Sequence, residues 1–171
     1  MRTKKPRDGR PPEPTLDKAT AKRLKSAGVA VSAPLTGGRW LGVAMDELVV
    51  LDGEEFEQRH FWSRAESASW NGDTRQLTVR WVDGAEPLVL TTATDEVYDA
   101  VTAVRERITS SQVHVEILPT AGGDVRALIR RGPGGKLFSQ LIARGPLTER
   151  EQRLADALER QARSAVGMTV E

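Results

Sequence analysis

Three observations predict an α+β fold: a seven-stranded antiparallel barrel or sandwich capped by a helix, followed by a three-stranded meander and a C-terminal helix. From Val29 to Thr92 apolar and polar residues alternate at a period of two, and turn residues recur about every eight to twelve positions. Val97, Val101, Val104 and Ile108 then fall along one side of a helix. After Ser110-Ser111 strand-length segments return, and they end at Thr148 with Glu151 three positions later, a capping box. These boundaries divide the chain into 1–27, 28–111 and 112–171.

Residues 1–14 hold four prolines and no hydrophobic residue after Met1, so they cannot bury enough surface to offset ordering entropy and are expected to be a disordered arm. A short helix follows from Leu16 to about Ala27, with Thr15 as N-cap and Gly28 as the stop. Strands are expected near 29–34, 39–44, 47–52, 55–62, 65–71, 74–82 and 86–92. Their separators, Thr36-Gly37-Gly38, Met45-Asp46, Asp52-Gly53, Asn71-Gly72 and Asp83-Gly84, have the chemistry of tight turns, and Asn71-Gly72 is the strongest hairpin signal. In the strand after it, Arg75, Leu77, Val79 and Trp81 share the face expected to be buried.

Thr94 is the expected N-cap of the next helix, with Asp95 and Glu96 in its first turn. The meander is expected as Val113–Leu118, Asp124–Arg131 and Lys136–Arg144, joined by Pro119–Gly123 and Gly132-Pro-Gly-Gly135. In the last helix Leu154, Leu158, Ala162, Ala165 and Val166 make the apolar stripe and Gly167 ends it. This unit is small for an independent domain, so it is expected to pack on the first unit and extend its sheet.

The chain has 171 residues, 25 Lys+Arg and 24 Asp+Glu, so its formal net charge is +1. That figure conceals a split. The first 26 residues carry nine basic and three acidic side chains, a net +6, and the remaining 145 carry −5. The absence of cysteine excludes disulfide scaffolds, zinc-thiolate sites, iron-sulfur clusters and thiol catalysis. No apolar run approaches the roughly 18 residues of a transmembrane helix, and no apolar segment follows the basic start, so a soluble cytoplasmic protein is expected.

The segment GVAMDELVVLDGEEFEQRHFWSRAESASWNGDTRQLTVRWVDG resembles the bacterial pleckstrin-homology-like (PH-like) domains, of actinobacterial type. The resemblance rests on a small-residue strand with an Asp-containing turn (Val43 to Asp46), an apolar strand (Leu48 to Leu51), and the Trp62–Ala68 segment ahead of a hairpin. It covers about residues 28–110. What it implies is a helix-capped barrel that binds lipids, peptides or proteins, rarely a catalyst. Phosphoinositide-binding members carry several Lys/Arg around their first loop. Here Pro34–Gly38 is uncharged and only Arg39 follows, which argues against phosphoinositide recognition.

No catalytic, metal or cofactor constellation is recognisable. His60 and His114 stand alone, without H-x-H or H-E-x-x-H spacing. There is no G-x-S-x-G, and Gly132–Gly135 lacks the Lys-Ser/Thr of a phosphate-gripping loop. Trp40, Trp62, Trp70 and Trp81 read as core filler in a chain with three Phe and one Tyr. The binding candidates are therefore basic: Arg2, Lys4, Lys5, Arg7, Arg10, Lys22, Arg23 and Lys25 in the N-terminal segment, and a smaller cluster of Arg126, Arg130 and Arg131 with Arg144 nearby. Arg126 and Arg130 would share one strand face. Residues 2–25 would attach nonspecifically to nucleic acid or an anionic membrane surface, in competition with the plainer reading of a solvated tail. The leading expectation is a non-enzymatic adaptor that meets a protein or peptide partner at a sheet edge or in the groove between barrel and helix.

Overall fold

A computed structural model describes residues 13–169. The described residues form three helices and three antiparallel sheets. The first sheet has the order β1 (Val31–Pro34), β2 (Arg39–Val43), β3 (Glu47–Asp52), β4 (Glu55–Phe61). The second is β5 (Ala65–Asn71), β6 (Gln76–Trp81), β7 (Leu88–Thr91). The third has the order β10-β9-β8, from β8 (Gln112–Thr120), β9 (Gly123–Arg131) and β10 (Leu137–Arg144). The helices are α1 (Lys18–Ser26), α2 (Tyr98–Ser111) and α3 (Glu149–Ala165).

The first seven strands do not close into a barrel. β4 and β5 do not pair with each other, and an isolated bridge, Leu35–Thr92, joins the first two sheets at their other ends. Between β4 and β5 the chain makes a 3-10 turn at Trp62–Arg64. There the Trp62 backbone N–H donates to Asp46 O (3.1 Å) and its indole N–H to Ala44 O (3.0 Å), so this corner is tied to the β2–β3 turn instead of to a ladder. The two sheets nevertheless enclose one core. Leu41, Leu48 and Val50 face Leu77, Val79 and Leu90, and Val101, Val104 and Ile108 of α2 complete it.

β3 is buried on both faces. Leu48 and Val50 enter the main core, while Val49 and Leu51 meet Leu24 of α1 on the outer face. Gly42, opposite Val49 in the ladder, makes this approach feasible, because a Cβ there would lie 2.7 Å from Val49 Cγ2 and 2.8 Å from Val29 Cγ2. The thin apolar stripe of the first helix therefore has a definite role in covering this face. Its cap is Asp17 and not Thr15: Asp17 Oδ1 accepts from the Thr20 backbone N–H at 2.9 Å, which starts the helix at Lys18.

Three other details differ from expectation. The Asn71-Gly72 hairpin forms, but its left-handed residue is Arg75 (φ 53°), which leaves the strand face and pairs with Asp95 instead of aligning with Trp81. Asn71 Oδ1 caps that turn by accepting from the Asp73 backbone N–H at 2.9 Å. Thr94 accepts from the Glu96 backbone N–H in a local turn, and α2 starts only at Tyr98, with Val97 at its N-cap. The capping box of α3 is present, but its inward stripe runs through Ala155, Leu158 and Ala162, with Leu154 turned outward. Ala162 packs with Ala127 and Ile129 of β9, and its small side chain lets the helix approach the sheet closely.

The third sheet does not extend the first. Its α3-covered face forms a separate small core, and its other face, with Arg126, Leu128 and Arg130 of β9, turns toward β5 and the Trp62 corner. No helix among the described residues is long and apolar enough to cross a membrane.

Candidate binding site

Of the basic candidates, Arg2, Lys4, Lys5, Arg7 and Arg10 lie outside the described residues. Lys22 and Lys25 are exposed on α1. Arg23 is engaged: its Nε donates to Glu54 O at 3.1 Å and its guanidinium lies 4.6 Å from the Phe56 ring centroid. It helps hold α1 on the first sheet.

Arg126 and Arg130 do share one face of β9, but they do not form an accessible basic patch. Arg130 is 1% exposed and donates through Nη2 to Trp62 O (3.0 Å) and to Ala65 O. Its Nε is buried without a partner among the described residues. Burial pushes its pKa down to about 10, opposed in part by the charge of Glu66. Arg126 donates to Asp124 Oδ2 (3.2 Å) and Glu66 Oε1 (3.3 Å), and Arg144 donates to the same Glu66 oxygen. These residues line a cleft of about 80 Å³ whose charges are mostly answered within it. Its arginines join the third sheet to β5 and the Trp62 corner.

A second groove follows α2. Ala103, Glu106, Arg107 and Ser110 occupy helical positions i, i+3, i+4 and i+7 beside the buried stripe of Val101, Val104 and Ile108. Two depressions, of about 250 and 140 Å³, share Arg107 and Ser110 and so meet along this side of the helix. The larger is walled by Ala30, Val31, Val43 and Ala103 on one part and by the polar Glu106, Arg107 and Ser110 on the other. The smaller lies between the Met45-Asp46 turn, the end of α2 and the 132–135 loop, where Arg131 completes the wall. Gly134 and Gly135, at φ 68° and 78°, turn this loop inward, and the Gly134 backbone N–H donates to Asp46 Oδ2 at 3.4 Å.

Arg107 and Arg131 have no hydrogen-bond or ion-pair partner among the described residues. Met45 beside them is 69% exposed. The arrangement therefore offers two guanidiniums without partners among the described residues and the Ser110 hydroxyl on the walls of these depressions, donors that suit an anionic group. Arg131 belongs to the cluster the sequence suggested, although it projects from β9 with the opposite parity to Arg130. Arg107 was missed, and its signal is its place three and four positions from Ser110 and Ala103 on the flank of an amphipathic helix.

The histidines lie apart. His60 Nε2 is 2.9 Å from Gln58 Oε1 and the ring stacks at 4.6 Å on Trp81, whereas His114 Nε2 is 2.8 Å from Glu116 Oε1. Among the described residues no three His, Asp or Glu side chains converge as a metal site would require. Trp62 and Trp81 are buried, and Trp40 and Trp70 pack half-buried against the cores. No protein-family model matches the chain, and no curated protein matches it.

Proposed function

We propose that the chain is a non-enzymatic adaptor module that takes a protein or peptide partner in the groove between α2 and the first sheet. The observation that carries this reading is the pair of adjoining depressions along α2, which share Arg107 and Ser110 and are lined by two guanidiniums, Arg107 and Arg131, without partners among the described residues. A groove of this form recognises side chains along an extended segment and needs no reactive group. A PH-like kinship is favoured by two antiparallel sheets around one core with a helix following the seventh strand.

Affinity purification with the full chain and with Ser110→Trp tests the reading. Ser110 is exposed and lines both depressions, so a tryptophan there blocks the groove while the fold is retained. Partners captured by the natural chain are expected to disappear with Ser110→Trp and to survive deletion of residues 1–14. Recovery of the same partners by Ser110→Trp would sink the proposal.

A second reading rests on α1, where Lys18, Lys22 and Lys25 are exposed beside the basic N-terminal segment. This would bind nucleic acid or anionic membrane without sequence preference. It predicts binding to DNA, RNA or anionic liposomes that fades with salt and is lost on deletion of residues 1–14.

A further inference from the structure

We infer that two copies of this chain form a two-fold dimer in which β10 of one pairs antiparallel with β10 of the other, centred on Gln140, so that the two third sheets become one. This interface is separate from the depressions beside α2 and does not depend on them. Six strands lie at sheet edges among the described residues, and five of them carry a feature that discourages pairing. β1 and β7 are four residues long, and β1 ends in Pro34. β4 exposes Glu55, Glu57 and Arg59 and breaks register against β3. β5 breaks register between Ala65 and Ser67, and β8 between Gln112 and His114, with Pro119 near its end. β10 has none of these features: it pairs with β9 through eight consecutive positions and carries no proline and no charge before Arg144.

The Gly132 backbone N–H donates to Lys136 O at 2.8 Å, which sets the alternation of the β9–β10 ladder. Phe138, Gln140 and Ile142 therefore direct their backbone groups to β9, while Leu137, Ser139, Leu141 and Ala143 direct theirs to the open edge. A two-fold centre at Gln140 pairs that outward row with itself, Ser139 against Leu141 and Leu137 against Ala143. Phe138 of each copy then falls opposite Ile142 of the other, an aromatic side chain against a β-branched one, twice over. Lys136 comes opposite Arg144 only at the rims, where Glu66 already answers the arginine.

Gln140 selects this register and this occupant. Its Oε1 is buried without a partner among the described residues, and its neighbours on that face are Leu128 across the ladder and Phe138 and Ile142 along the strand, whose side chains hold no donor. An unanswered amide acceptor costs stability. In the two-fold pair Gln140 stands opposite its own counterpart at a non-hydrogen-bonded position, where side chains are closest, and each amide N–H donates to the other's Oε1. The terminal amide torsion is soft, so turning the acceptor to the edge costs little. Centres at Ser139 or Leu141 would set Gln140 against Phe138 or Ile142 and leave the acceptor unanswered. A strand of unrelated sequence would satisfy the backbone row and not the amide.

Sedimentation velocity of the full chain from about 1 μM to about 1 mM tests the association, with a rise toward twice the 18.7 kDa of one chain expected across that range. Gln140→Glu and Gln140→Lys each set like charges against one another at the two-fold axis, and each is expected to weaken the dimer by about tenfold or more. An equimolar mixture of the two variants is expected to dimerise again, which a loss of fold would not allow. Cysteine cross-linking reads the register without background, because the chain has no cysteine. A non-hydrogen-bonded pair sets its Cα atoms about 4.5 Å apart, within disulfide range, so oxidised Gln140→Cys is expected to yield a covalent dimer. Ser139→Cys, whose counterpart lies on a diagonal at roughly 7 Å or more, is not. A natural chain that stays monomeric throughout the range overturns the inference. So does a dimer that persists in both charge variants, or one that cross-links at Ser139→Cys and not at Gln140→Cys.

Discussion

Two clefts of this molecule are lined by arginine, and they differ in what the guanidiniums touch. Around Arg126, Arg130 and Arg144 each guanidinium meets a carboxylate or a backbone carbonyl of the same chain. Beside α2, Arg107 and Arg131 meet none among the described residues. The first cleft holds more positive charge and is the poorer place for a ligand, because an incoming anion would have to displace Glu66. Counting arginines along a sequence therefore locates basic clusters and not binding sites; the deciding question is whether the fold already gives each guanidinium a partner.

Neighbouring residues of β9 make the comparison most directly breakable. Arg130 and Arg131 differ by one position and point to opposite faces, one buried and one exposed. Arg130→Ala removes the donor shared by Trp62 O and Ala65 O and leaves a void beneath the third sheet, so a loss of about 3–5 kcal/mol is expected. Arg131→Ala is expected to change stability by about 0.5 kcal/mol or less. Urea denaturation of the two variants measures both, and similar losses would show that the two clefts do not differ in role.

A smaller effect sharpens the contrast from the other side. Glu66→Ala frees Arg144 from its closest carboxylate and leaves Arg126 with Asp124 alone. Because these pairs are partly exposed, the stability cost is about 1 kcal/mol or less. The variant is expected to gain what the natural cleft lacks, a rise in thermal midpoint with added sulfate that Arg144→Ala in the same background abolishes. A natural chain that responds equally to sulfate through Arg144 would mean that Glu66 does not close the cleft.

Much of this architecture was legible because local signals and tertiary packing agree in it. The period-two run, the turn residues and the Thr148–Glu151 box place the strands and last helix correctly. What was not legible depends on contacts distant in sequence. Closure of the barrel fails at Trp62, whose partners are Ala44 and Asp46. The burial of Arg130 depends on carbonyls more than 60 residues away, so an arginine that reads as surface charge becomes a structural tie. The groove itself joins a turn, a helix and a hairpin loop, and no single stretch of sequence contains it.

The histidines repeat the same contrast at its smallest amplitude. His114 faces the Glu116 carboxylate, whereas His60 is packed on Trp81 with its Nδ1 buried and without a partner among the described residues. Burial, and then the positive charge of Arg64, hold the His60 pKa below its ordinary value of 6.5. The unfolded chain therefore binds the proton more tightly than the folded one. Stability is intact above the ordinary pKa and is lost as pH falls through it toward the lowered folded value. Replacing His60 by Gln removes the titration while keeping a polar side chain opposite Gln58. The urea midpoint of the natural chain is expected to fall more between about pH 7.5 and about pH 5 than that of His60→Gln, with the two converging at the higher pH. Parallel falls in both would mean that the ring takes up its proton as readily in the fold as outside it, and that an unpartnered nitrogen at this depth carries no cost.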